Sequence, residues 1–159
     1  MKTNQTPAVF GKRFIGCVLD CSCDSADAIN ERTIKFAQGY GFDAGEWQDE
    51  IGEDDEDRSQ VLSELADDAV NWLNEQDLLP YCSFCFEDNS LFYMPNVESA
   101  RDDVGFVSRR DVDETTDQDD ASYPAADYRG EWLHVSDHGN ATLYVRGENG
   151  QDTEVWSLV

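Results

Sequence analysis

Carboxylates are the chemically active groups this chain has in quantity. Nine of the fifteen residues from Asp43 to Asp57 are acids, with no Lys or Arg among them: Asp43, Glu46, Asp49, Glu50, Glu53, Asp54, Asp55, Glu56 and Asp57, with Trp47 in their midst. Glu64, Asp67, Asp68 and Glu75 follow at helical spacing, and no basic residue occurs anywhere from Ser59 to Ala100. Clustered carboxylates can bind cations, perform acid–base or metal-assisted hydrolysis, imitate another polyanion, or simply form a solvated or disordered loop.

The cation and catalytic readings find little in the spacing. Asp111, Asp113, Asp117 and Asp119 alternate like a calcium loop, but Thr116 stands where that loop needs glycine and Ser122 where it needs a bidentate Glu. His134 and His138, with Asp137 between them, offer an acid–base pair or metal ligands, one in an expected strand and one in the turn after it. Cys21-x-Cys23 and Cys82-x-x-Cys85 supply four thiols, yet a structural zinc site wants tight knuckles. An odd spacing within a strand sends Cys82 and Cys85 to opposite faces. Cys17, Cys21 and Cys23 are therefore expected on a core face, with no disulfide, metal or cofactor. No phosphate-binding glycine loop, nucleophile elbow or H-E-x-x-H sequence is present, so the chain is not expected to be an enzyme. A metal-assisted hydrolase using the clustered carboxylates is the remaining catalytic alternative.

Charge distribution favours imitation. Residues 1–42 carry four acids and five bases, 43–130 carry 26 and five, and 131–159 carry five and one; the segment charges of +1, −21 and −4 give the total of −24. A compact chain of this length has a radius of gyration of roughly 15 Å. Duplex DNA spanning about 40 Å carries roughly 24 phosphates. Such a protein repels DNA and anionic lipid and attracts basic surfaces. Halophilic adaptation also makes proteins acidic, but it acidifies the whole surface, whereas the first 42 residues here are slightly basic.

These side chains need a scaffold, and the pattern predicts an α+β fold in which two main helices pack on an antiparallel β-sheet. Lys12–Cys23 alternates as a half-buried strand. Asp24 or Ser25 is an N-cap for a helix built on Ala28, Ile29, Thr33, Ile34, Phe36, Ala37 and Tyr40, which Gly39 and Gly41 stop. A second helix over 58–76 carries Val61, Leu62, Leu65, Ala66, Ala69, Val70, Trp72 and Leu73 as its apolar stripe. Its Val61/Leu65/Val70/Leu73 side is expected on the sheet. Tyr81–Glu87 and Leu91–Met94, around Asp88-Asn89-Ser90, make a hairpin. Residues 96–130 read as an acidic exposed loop or insertion, and 131–159 as a three-stranded meander. A single domain over 1–159 follows, with 1–95 as its strand–helix–helix–hairpin core. No apolar run is long enough to span a membrane and the start lacks a secretory signal pattern, so a cytoplasmic location is expected.

The closing segment, LHVSDHGNATLYVRGENGQDTEVWSLV, resembles the C-terminal part of small uncharacterised proteins encoded by bacteriophages and related mobile elements, where an H-V-x-D-H-G-N-x-T-L-Y … E-x-W-S phrase recurs. The acidic helix followed by an aromatic, acidic hairpin is similar in style to the DNA-mimic antirestriction proteins of the Ocr and ArdA families. Charge geometry together with this phage-like context leads to the expectation of a phage- or plasmid-type anti-defence protein acting in the host cytoplasm. It is expected to occupy the nucleic-acid-binding surface of a basic host partner, a restriction or CRISPR enzyme, through the charge of Asp43, Glu46, Asp49, Glu50, Glu53–Asp57, Glu64, Asp67, Asp68 and Glu75. Trp47 and exposed aromatics of 81–94 are expected as its apolar anchors. The alternative is a small phage accessory protein that binds another basic host protein without mimicry.

Overall fold

A computed structural model describes residues 15–20, 24–45, 47, 57–109, 123–136 and 138–159. The described chain is α+β, with helices α1 (Ala26–Tyr40), α2 (Arg58–Asn74) and α3 (Val97–Asp103). Its strands are β1 (Gly16–Leu19), β2 (Cys82–Glu87), β3 (Ser90–Pro95), β4 (Phe106–Arg109), β5 (Gly130–Val135), β6 (Ala141–Arg146) and β7 (Asp152–Leu158). It divides into two compact units. One comprises the residues up to Leu78 with Cys82–Met94, the other Leu79–Tyr81 with Pro95–Val159. Each has its own buried apolar set, which is why the chain partitions.

In the first unit, α1 starts where Ser25 accepts a hydrogen bond from the Ala28 amide. It ends at Gly41, whose φ of 118° lies in the left-handed region open to glycine. Its buried Ile29, Thr33, Ile34 and Ala37 meet the buried Leu62, Ala66, Ala69 and Leu73 of α2. The alanines allow close approach of the two helices. The principal neighbour of α2 is thus α1 rather than the sheet, and Val61, expected inside, is 39% exposed.

Three strands in the order β1–β3–β2 form the sheet of this unit. Asp88 and Asn89, at φ 47° and 57°, make the two-residue left-handed turn that suits a tight hairpin. The outer backbone of β2 is engaged from the end of α2: Asn74 Oδ1 accepts from the Phe84 amide at 2.6 Å, and its Nδ2 donates to the Phe84 carbonyl at 3.2 Å. A side-chain amide thus does what a neighbouring strand does elsewhere. Phe84 then packs on Tyr93, ring centroids 4.5 Å apart and planes tilted by 37°.

The second unit holds a sheet in the order β4–β5–β6–β7. The expected meander is present as β5–β6–β7, but β4 adds to it in parallel. Residues 97–103 and 106–109, read as loop, form helix α3 and strand β4; residues 110–122 lie outside the described residues. Register aligns Val107, Leu133, Leu143 and Trp156 in a row across one face. The last three are completely buried. On the other face Trp132 stacks on Tyr144 at 4.7 Å. Leu79–Tyr81 is tied into this unit three times. Trp156 Nε1 donates to the Pro80 carbonyl at 2.9 Å, Tyr81 Oη to Glu131 at 2.9 Å, and the Asn96 amide to the Tyr81 carbonyl. Burial and the Glu131 carboxylate push the Tyr81 phenol up to about 12, so it remains a donor at every ordinary pH.

Candidate acidic interface

Helix geometry decides which carboxylates act together. At ~100° per residue, Asp57, Glu64, Asp68 and Glu75 fall within about 20° of a common line, nearly opposite the buried Leu62, Ala66 and Leu73. All four are exposed. With ~1.5 Å of rise per residue, the stripe spans roughly 27 Å with intervals of about 10, 6 and 10 Å. Asp67 sits to one side of it, also exposed, and Val61 lies between Asp57 and Glu64 as an exposed apolar side chain.

The described basic residues of this unit are spent elsewhere. On α1, Arg32 pairs with Asp24 at 2.6 Å and Lys35 with Glu31 at 3.5 Å, while Arg58, at the start of α2, reaches back to Glu31. Among the described residues, no ion pair engages Glu64, Asp67, Asp68 or Glu75. Glu64 accepts only a neutral hydrogen bond, from Gln60 at 2.8 Å. An ordinary solvated helix gains a few tenths of a kcal/mol from each Glu–Lys pair four residues apart and loses about as much from like charges. This face takes the loss.

The other proposed interface residues fare differently. Asp43 is exposed beyond α1 and accepts from the Gly45 amide. Glu46, Asp49, Glu50, Glu53, Asp54, Asp55 and Glu56 lie outside the described residues. Trp47, expected as an exposed apolar anchor, is 5% exposed and packs with Ile34, Leu62 and Ala66, with Ala44 and Leu65 against them. The sequence around it is acidic, but burying an indole outweighs its neighbourhood. From the hairpin, Phe86 remains 39% exposed, whereas Phe84 and Tyr93 are core.

The cysteines depart from the core-face reading. A register irregularity between Cys17 and Leu19 breaks the alternation of β1, and Cys17 is exposed; Cys21 and Cys23 lie outside the described residues. Cys82 and Cys85 diverge as the odd spacing requires, one half-buried and one exposed. Burial pushes the Cys82 thiol up to about 12, against a hydrogen bond with Tyr93 that pulls it down. Burial, then the Glu87 carboxylate, raises Cys85. Both are thiols rather than thiolates at neutral pH, unsuited to nucleophilic attack. Among the described residues no three His, Cys, Asp or Glu side chains converge to hold a metal.

His134 has a partner that sequence reasoning missed. Ser108 Oγ lies 3.1 Å from its Nδ1, because β4 pairs in parallel with β5 and places the two residues opposite each other. Ser108 is completely buried, which makes the contact a cross-strand bond rather than an exposed nucleophile. Asp137, the intended third member, lies outside the described residues.

A second charged cluster is structural. The Arg146 guanidinium holds Asp152 at 2.7 Å and 2.8 Å, lies over the Trp132 ring, and donates to the Pro124 and Ala125 carbonyls. Trp132 Nε1 donates to the same carboxylate at 3.0 Å. The Arg146 hydrogen bonds, against desolvation and with help from Trp132, hold the Asp152 carboxyl below its usual value. A carboxylate whose folded value is lowered contributes stability above the unfolded range near pH ~4, and that contribution is lost as pH falls through the lowered value. The stability–pH curve is therefore expected to lose an acid-side component in an Asp152→Asn variant, measured by urea unfolding between neutral and strongly acidic pH. An unchanged acid limb would contradict the assignment.

Comparison with protein-family models, with curated proteins and with solved structures finds no match to this chain.

Proposed function

We propose that this chain is a nonenzymatic anti-defence protein of the phage or plasmid type, a DNA mimic that occupies the nucleic-acid-binding groove of a host restriction or CRISPR enzyme. The observation that carries this reading is the exposed stripe that Glu64 and Asp68 of α2 form with its caps Asp57 and Glu75, with Asp67 beside it. Carboxylates at intervals of about 6–10 Å along one line meet a row of Arg and Lys side chains much as successive backbone phosphates do. Val61 and Phe86 add exposed apolar surface in the same unit. Among the described residues, the pairing of Asp24 and Glu31 around α1, set against Glu64, Asp67, Asp68 and Glu75, which no ion pair engages, speaks for a local purpose rather than for general salt adaptation.

The test is competition. Purified restriction and CRISPR nucleases, each loaded with a labelled cognate duplex, are titrated with the chain at several salt concentrations. Release of the duplex from at least one enzyme is expected, weakening as salt screens the contact. Release from none, or a stable complex holding both chain and duplex, would overturn the mimic. A chain that unfolds when salt is withdrawn would return its acidity to halophilic adaptation.

A further inference from the structure

We infer that the Asn149–Gly150 peptide, in the turn between β6 and β7, is a site of spontaneous deamidation in the folded protein. Asn149 is the only asparagine in the sequence followed by glycine. Glu148, Asn149, Gly150 and Gln151 are all exposed, so water and hydroxide reach them. Gly150 has no side chain to shield its amide and adopts φ 73°, the left-handed position that closes a three-residue hairpin loop.

Hydrogen bonds hold the Asn149 side chain against Gln151, the residue that follows the attacking Gly150 nitrogen. Its Oδ1 accepts from the Gln151 amide at 3.1 Å and its Nδ2 donates to Gln151 Oε1 at 3.0 Å. The amide between these anchor points is Gly150's own. A donor on Oδ1 also stabilises the negative charge that develops there when Cγ is attacked, as fixed donors do at any tetrahedral centre. Hydroxide removes the Gly150 amide proton, and the nitrogen bonds to Cγ. That bond closes a five-membered ring; the former side-chain nitrogen takes a proton from water, which restores the hydroxide, and leaves as ammonia to give the succinimide. Water opens that ring at either carbonyl. Breaking the bond to Cγ yields aspartate, and breaking the main-chain bond yields isoaspartate.

One contact opposes the reaction: the Gly150 amide donates to the Gly147 carbonyl at 2.9 Å. It lies at an exposed loop tip, where local opening is cheap compared with global unfolding. The isoaspartyl product carries an extra backbone methylene. It cannot keep both that bond and the Gly147 amide's bond to the Gln151 carbonyl, so modification loosens the turn.

The experiment incubates the whole chain at mildly alkaline pH beside a free peptide of residues 147–158, and follows both by peptide mass spectrometry and isoaspartyl methyltransferase labelling. The expected result is modification at Asn149 in the folded chain at a rate equal to or above the peptide's. In an Asn149→Gln variant, labelling should be lost. A folded-chain rate below the peptide's, or a different asparagine modified first, would overturn the inference.

Discussion

Replacing Trp156 with alanine is expected to cost about 3–5 kcal/mol of folding stability, the range for removing a large aromatic from a packed core. The side chain is completely buried, aligned across the sheet with Leu143 and Leu133, and its indole N–H satisfies the Pro80 carbonyl. A domain's whole stability is about 5–15 kcal/mol, so the variant is expected to populate unfolded chain without denaturant. Trp156→Phe separates the two contributions. It keeps most of the apolar volume and loses the hydrogen bond, for a loss of roughly 1 kcal/mol. Urea unfolding of the three proteins reads both differences. Equal stability of the alanine variant and the parent would mean that β7 does not seat this ring in the core.

The second large effect concerns binding. With Glu64, Asp67 and Asp68 replaced together by Gln and Asn, affinity for a nuclease identified by competition is expected to fall about 10- to 100-fold. That corresponds to roughly 1–3 kcal/mol, at up to about 1 kcal/mol for each exposed charge. These positions are exposed and outside the buried set of α2, so folding should survive. The control removes the same amount of charge elsewhere: Glu98, Asp127 and Glu148, all exposed in the second unit, changed to Gln and Asn. Asp152 is unsuitable for that control because Arg146 and Trp132 depend on it. Equal losses in the two triple variants would show that net charge rather than the α2 stripe governs the interaction, and would favour the accessory-protein reading.

Where the sequence was readable, the signal was local. The N-cap Ser25, the helical recurrence from Ile29 to Ala37, the stop at Gly41 and the Asp88-Asn89 turn each act over a few residues, and the structure places them as expected. The misses depend on partners distant in the chain. Strand β4 has only four residues and acquires its identity from β5, more than twenty positions later. No period within 106–109 announces that pairing. The exposure of Cys17 comes from a strand irregularity that shifts the alternation on which its face was judged. Trp47 stood among carboxylates, and its burial is decided by Ile34 and Leu62, on two different helices. The acids of α2 were legible because a helix's outward side follows from its inward one. Their alignment from Asp57 to Glu75 emerges only once the helix limits are known.

The interleaving of the two units gives the chain a direction. Leu79–Tyr81 is made before any other part of the second unit, and it supplies the acceptor for Trp156, the donor for Glu131 and the acceptor for the Asn96 amide. A fragment ending at Met94 contains every described residue of the first unit, whereas one beginning at Pro95 lacks three anchor points of the second. During translation, the first unit can therefore close while the ribosome is still adding the second, which must wait for its last strand to find a carbonyl laid down 76 residues earlier. Nascent chains stalled before β7 should thus display the acidic helix already formed.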